Sequence, residues 1–123
     1  MEKIFLYHPD EVEYQKIKRV AGNLKIRCAR IEPSALNQTL ECLVSGASNP
    51  LAAPFSGDVP SESLLLMSDF TDKRIDRLLA ALKKAAAQVD FKAIVTPTNQ
   101  KWNVLRLLME LHAERAAYEK TRG

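Results

Sequence analysis

Hydrophobic positions along this chain fall into short dense runs and longer spaced stripes, and the alternation occurs twice. Ile4-Phe5-Leu6-Tyr7 is a dense run of strand formers bounded by His8-Pro9-Asp10, and it predicts a buried strand. Asp10 and Glu11 open a helix in which Ile17, Val20, Ala21 and Leu24 recur at helical spacing, with Gly22-Asn23 as its left-handed stop. Lys25–Ile31 is a second strand, Glu32-Pro33-Ser34 a turn, and a second helix carries Leu36, Leu40, Leu43 and Val44 on one face. The pattern restarts at Leu64–Met67, a strand followed by the turn Ser68-Asp69-Phe70-Thr71. Thr71 suits an N-cap, with Asp72 favourable in the first turn. Ile75, Leu78, Leu79, Leu82 and Ala86 stripe the helix that follows. Phe91–Thr96 reads as a fourth strand, Pro97-Thr98-Asn99 as a turn, and the last helix as running from Gln100 or Lys101 to about Glu119.

Between the halves, residues 46–62 carry Pro50, Pro54 and Pro60 with glycines and serines, and show no periodicity. Leu51, Ala52, Ala53 and Phe55 suggest an ordered crossing packed on the surface. The expectation is one α/β domain over 1–123, with half-units 1–45 and 63–123 joined by this connection. Alternating strands and helices predict a four-stranded, mainly parallel sheet of order 2-1-3-4 with helices on both faces, a truncated flavodoxin-like arrangement. The halves repeat in architecture, although their side chains differ.

The last helix is too apolar for its place. At 100° per residue, Trp102, Val104, Leu105, Leu107, Leu108, Met109, Leu111 and His112 span an arc of about 220°, whereas a helix on one sheet face needs little more than ~100°. Either the chain's own connection or tail covers the surplus, or Leu105, Leu108, Met109, Leu111 and His112 form a homodimer or partner interface.

Composition narrows the class without naming an activity. With 46% hydrophobic and 27% charged residues and four glycines, the chain is neither disordered nor collagen-like. No apolar run approaches a membrane span, and the amino terminus is not a signal peptide. The net charge of +3 comes wholly from residues 61–123, too diffuse a bias for a dedicated nucleic-acid binder. Cys28 and Cys42, one in a strand and one on a helix, read as reduced, packed thiols of a cytoplasmic protein.

Candidate chemistry collects at the expected carboxyl ends of the strands. The switch point between the first and third strands would bring His8, Asp10 and Asp69 towards one crevice, able to act as acid, base or hard-cation ligands. Both acids also precede helices, where capping alone favours them. Thr96, Thr98, Asn99 and Trp102 form a second cluster that could hold an anion at a helix start or simply cap and pack it. There is no glycine-rich phosphate loop, no Gly-x-Ser-x-Gly elbow and no metal-ligand spacing among His8, Cys28, Cys42 and His112; His112 lies within the apolar arc and reads as packed. Lys73, Arg77 and Lys84 make a basic face on the third helix, solvated or turned to acidic partners or RNA phosphates. A phospho-receiver domain shares length and fold class, but the paired acid after the first strand and a fifth strand with its lysine are missing.

Leu64-Leu65-Leu66-Met67-Ser68-Asp69-Phe70, Ile75-Asp76-Arg77-Leu78-Leu79-Ala80-Ala81-Leu82-Lys83 and above all Lys92-Ala93-Ile94-Val95-Thr96-Pro97-Thr98-Asn99-Gln100-Lys101-Trp102 resemble the bacterial family called domain of unknown function 3783. The resemblance covers residues 64–119 and implies a small bacterial cytosolic protein. It implies no activity, cofactor or catalytic residue. Three functional readings follow, in this order. First comes a non-catalytic binding or regulatory module, dimeric through its last helix. The second is a small-molecule or anion sensor or enzyme using the crevice. The third is a weak nucleic-acid binder. The residues name no catalytic set, no metal site and no cofactor.

Overall fold

Strand β1 (Lys3–Tyr7) lies between β2 (Arg27–Ile31) and β3 (Leu64–Ser68), with β4 (Phe91–Ile94) outside β3, in a computed structural model that describes residues 2–47 and 52–122. The order 2-1-3-4 is the one the hydrophobic pattern predicts. Direction differs. The β1–β2 and β3–β4 pairs are parallel, but β1 and β3 are antiparallel, with Lys3 opposite Ser68 and Tyr7 opposite Leu64. The sheet is therefore mixed, not mainly parallel, and its likeness to a flavodoxin-like sheet stops at strand order. Right-handed crossover rules bind each β-α-β segment internally, but leave the direction of β3 free after so long a connection.

Helices α1 (Glu11–Asn23) and α3 (Asp72–Lys84) each have 13 residues and follow equivalent strands. Asp10 caps α1 by accepting from the Val12 and Glu13 amides, and Thr71 caps α3 by accepting from Arg74. Reversing β3 against β1 puts both helices on the same sheet face. There Ile4, Leu6, Leu65 and Met67 pack with Ile17, Val20, Ala21, Ile26, Leu78 and Leu82. Each fully buried leucine in this set contributes roughly 1.5–3 kcal/mol by leaving water. Phe5, Tyr7, Leu64 and Leu66, which alternate with these residues along β1 and β3, are buried as well.

The repetition extends to the backbone. Four residues other than glycine have positive φ, and they form two equivalent pairs among the described residues: His8 and Asp69 after the first strand of each half, Lys25 and Ala86 after each helix. The stop of α1 is thus Leu24 with left-handed Lys25, not Gly22-Asn23. The two halves reach the same turns with different side chains, so side-chain comparison conceals a repeat that the backbone displays.

The chain's contacts divide it into two compact units, Met1–Pro33 with Ser61–Val95 and Ser34–Pro60 with Thr96–Gly123. The first holds the sheet, α1 and α3. The second begins within a 3-10 turn, Pro33–Ala35, and contains α2 (Leu40–Ser45) and α4 (Val104–Arg122). Thr39 starts α2 by accepting from the Cys42 amide, so the helix is shorter than the Leu36–Val44 stripe predicts; Leu36 precedes it yet is fully buried. Asn103 accepts from the Arg106 amide and starts α4 later than Gln100 or Lys101.

Helix starts α2 and α4 meet in an antiparallel bridge, Thr39 opposite Asn103. Leu40 N–H donates to Trp102 C=O at 2.9 Å and Val104 N–H to Gln38 C=O at 3.1 Å; Glu41 N–H donates to Gln100 C=O at 3.0 Å and Leu105 N–H to Leu36 C=O at 3.1 Å. Each bond has its counterpart from the other half. In the connection, Phe55 N–H donates to Ser34 C=O and the Asn37 side-chain amide to Ala53 C=O, which holds residues 53–55 against the second unit's opening turn. Pro50 and Leu51, part of the expected crossing, lie outside the described residues.

Candidate functional site

The antiparallel pairing of β1 and β3 takes the predicted crevice apart. His8 and Asp10 follow the end of β1, next to the start of β3, whereas Asp69 follows the end of β3, next to the start of β1. Five-residue strands at about 3.4 Å per residue put His8 and Asp69 on the order of 20 Å apart. The three side chains do not share a site. They occupy equivalent corners of the sheet unit, and the corners are finished differently.

At the Asp69 corner an arginine closes the structure. Arg74 Nε donates to Glu2 Oε2 at 2.7 Å, and Arg74 Nη2 donates both to Glu2 Oε1 and to Leu24 C=O, also at 2.7 Å. The two-pronged geometry matches a guanidinium to a carboxylate. Hydrogen bonds from Arg74 hold the Glu2 carboxyl below its usual range and raise the guanidinium in return.

At the His8 corner Glu13 stands where the second half has Arg74, and Ser63 where the first has Glu2. Ser63 N–H donates to Asp90 Oδ2 at 2.7 Å and Asp90 N–H to Ser63 Oγ at 2.8 Å, tying the starts of β3 and β4 together. Glu13 pairs with Lys16 at 3.1 Å. What remains is a polar hollow of about 440 Å³, lined among others by His8, Asp10, Glu13, Ser63, Gln88 and Asp90. Among the described residues no three His, Cys, Asp or Glu side chains are grouped to hold a metal ion. Sequence reasoning missed Glu13, Ser63 and Asp90. The available signal was a polar residue immediately before each dense strand of the second half, Ser63 before Leu64 and Asp90 before Phe91.

The Thr96–Trp102 cluster is brought together as a self-contained turn. Thr96 N–H donates to Asn99 Oδ1 at 2.7 Å and Asn99 N–H to Thr96 Oγ1 at 3.2 Å. Those two amides are thereby taken, and Asn99 is buried while Thr98 is exposed. Trp102 is half-buried, its ring covered by the Arg106 guanidinium at 4.3 Å. Cys28 and Cys42 are free thiols, and burial pushes the Cys28 thiol up.

Helix α4 separates its expected interface residues into two groups. Leu108 is fully buried and Val104 and Leu107 are buried too, so it offers no surface to a partner. Leu105 and Leu111 are half-buried. Met109 is 63% exposed, and His112 is exposed, not packed as its place in the apolar arc suggests. From Met109 to Lys120 every residue except Leu111 is exposed. No helix of the described chain is long and apolar enough to cross a membrane.

No curated protein and no solved structure matches this chain. Residues 63–118, from Ser63 just before β3 to Tyr118 on α4, match the domain of unknown function DUF3783.

Proposed function

We propose that this chain is a non-catalytic binding module that pairs with a second copy of itself through the outer side of α4. The observation that supports the reading is a helix that outruns its own packing. Val104, Leu107 and Leu108 anchor its first turns, yet α4 continues to Arg122. A helical stretch of this length, exposed on nearly all sides, is marginal alone in water. Leu105, Met109, His112 and Ala116 lie within about 60° of one another at 3.6 residues per turn, a stripe with the spacing of a helix-pairing seam. A second copy supplies the same stripe, which makes the contact self-complementary. Asp69 lies away from the hollow that keeps His8 and Asp10, so the expected three-residue set is incomplete, and free Cys28 and Cys42 suit a bacterial cytoplasmic setting.

Sedimentation equilibrium tests the pairing. At tens of micromolar the wild-type chain should show twice its 13.8 kDa mass, and Met109→Lys should return it to the single-chain mass, with any loss of helicity confined to α4. A wild-type chain that stays single at these concentrations overturns the reading.

A further inference from the structure

The helix face of the sheet unit carries a groove between α1 and α3. Antiparallel β1 and β3 make α1 and α3 antiparallel too: Arg74 near the start of α3 reaches Leu24 at the end of α1, and Lys16 Nζ reaches Ala86 C=O at 3.3 Å. Along their seam Val20 of α1, Ala81 of α3 and the capping residues Leu24 and Ala85 line one hollow. The alanines are too short to fill the space between two helix axes, and a hollow of about 560 Å³ remains. Its rim is cationic. Lys16 and Arg19 stand on one side and Lys84 on the other, and no carboxylate lines it. Lys16 is engaged with Glu13, while Arg19 and Lys84 are exposed.

We infer that this groove docks an acidic amphipathic helix of another protein. Its length supports a helix: Lys16 to Leu24 spans about 12 Å, enough for anchors at i, i+3 or i+4, and i+7. The chemistry supports an acidic one. A floor of Val20, Leu24, Ala81 and Ala85 takes aliphatic anchors, while Arg19 and Lys84 face carboxylates flanking the anchor stripe. Nucleic acid fits less well, since phosphates gain nothing from an aliphatic floor, and α1 and α3 offer no exposed aromatic ring for stacking bases.

The test uses the full chain and three labelled probes in fluorescence anisotropy: an amphipathic leucine–glutamate helical peptide, a scrambled peptide of the same composition, and a short RNA. The amphipathic peptide should bind at least fivefold tighter than the other two. Arg19→Glu with Lys84→Glu should lose that binding at an unchanged melting temperature, and a leucine–lysine peptide should bind the doubly reversed chain instead. Ala81→Gln, which fills the floor without changing charge, should also weaken the acidic peptide. Equal binding of the scrambled peptide, tighter binding of RNA, or indifference to both the charge reversal and Ala81→Gln overturns the proposal. Each readout is a 1:1 complex on the sheet unit, so Met109→Lys at α4 should leave it unchanged.

Discussion

The two corners of the sheet unit share a backbone and differ in everything that finishes them. After β3, Asp69 takes a positive φ, Thr71 caps α3, and Arg74 locks onto Glu2 and the Leu24 carbonyl. After β1, His8 takes the same positive φ, Asp10 caps α1, and Glu13 stands in the place of the arginine. There Ser63 and Asp90 clasp each other, and a hollow stays open. The comparison separates what the fold requires from what each sequence adds. Strand, left-handed residue, cap and helix are required twice. The polar closure is specific to each corner.

The largest expected effect falls where the halves are alike. Leu6 and Leu65 face each other across β1 and β3, both fully buried in one core. Leu6→Ala and Leu65→Ala should each destabilise the chain by about 2–5 kcal/mol in denaturant titration, and by similar amounts. A markedly smaller loss at either position would show that the core is not shared between the halves.

A smaller effect is expected at the His8 corner. Ser63→Ala removes the acceptor of the Asp90 amide, leaving a partly buried donor without its partner, at a cost of about 1–3 kcal/mol. Ser63→Thr, which keeps the hydroxyl, should recover most of that loss. If both variants melt alike, the clasp does not hold β3 to β4.

The Asp69 corner should show itself through pH. Because Arg74 holds the Glu2 carboxyl below its unfolded value, the pair's contribution is complete above the ordinary glutamate range and is lost as pH falls through the lowered folded value. Wild type should therefore melt above Glu2→Gln at pH 6–8, and the gap should close as the pH drops below about 4. A gap independent of pH would mean that the carboxylate charge plays no part. The exposed Arg30–Glu11 pair serves as the low end of the scale, where Glu11→Gln should change little.

Strand order and both α1 and α3 caps were legible because they rest on local chemistry: dense apolar runs, helical stripes, and Asp10 or Thr71 ahead of them. The direction of β3 was not, because no side chain in the long connection encodes whether the chain returns parallel or antiparallel. That single reversal moved Asp69 away from His8 and dissolved the expected crevice. Left-handed Lys25 and Ala86 were also invisible, since neither residue type advertises a positive φ as glycine does. In α4 the periodicity identified an apolar surplus but not which part was interior; Leu108 is buried and Met109 is not. The polar clusters at Thr96–Asn99 and Ser63–Asp90 satisfy hydrogen bonds within turns and between strand starts, uses that residue types alone do not distinguish from ligand binding.

Pairing of α4 is tested most directly by amide hydrogen exchange read along the full chain at low and high protein concentration. Residues 109–118 should exchange rapidly when dilute and become protected as concentration rises, while β1 and β3 stay equally protected throughout. Rapid exchange of 109–118 at every concentration would contradict the pairing.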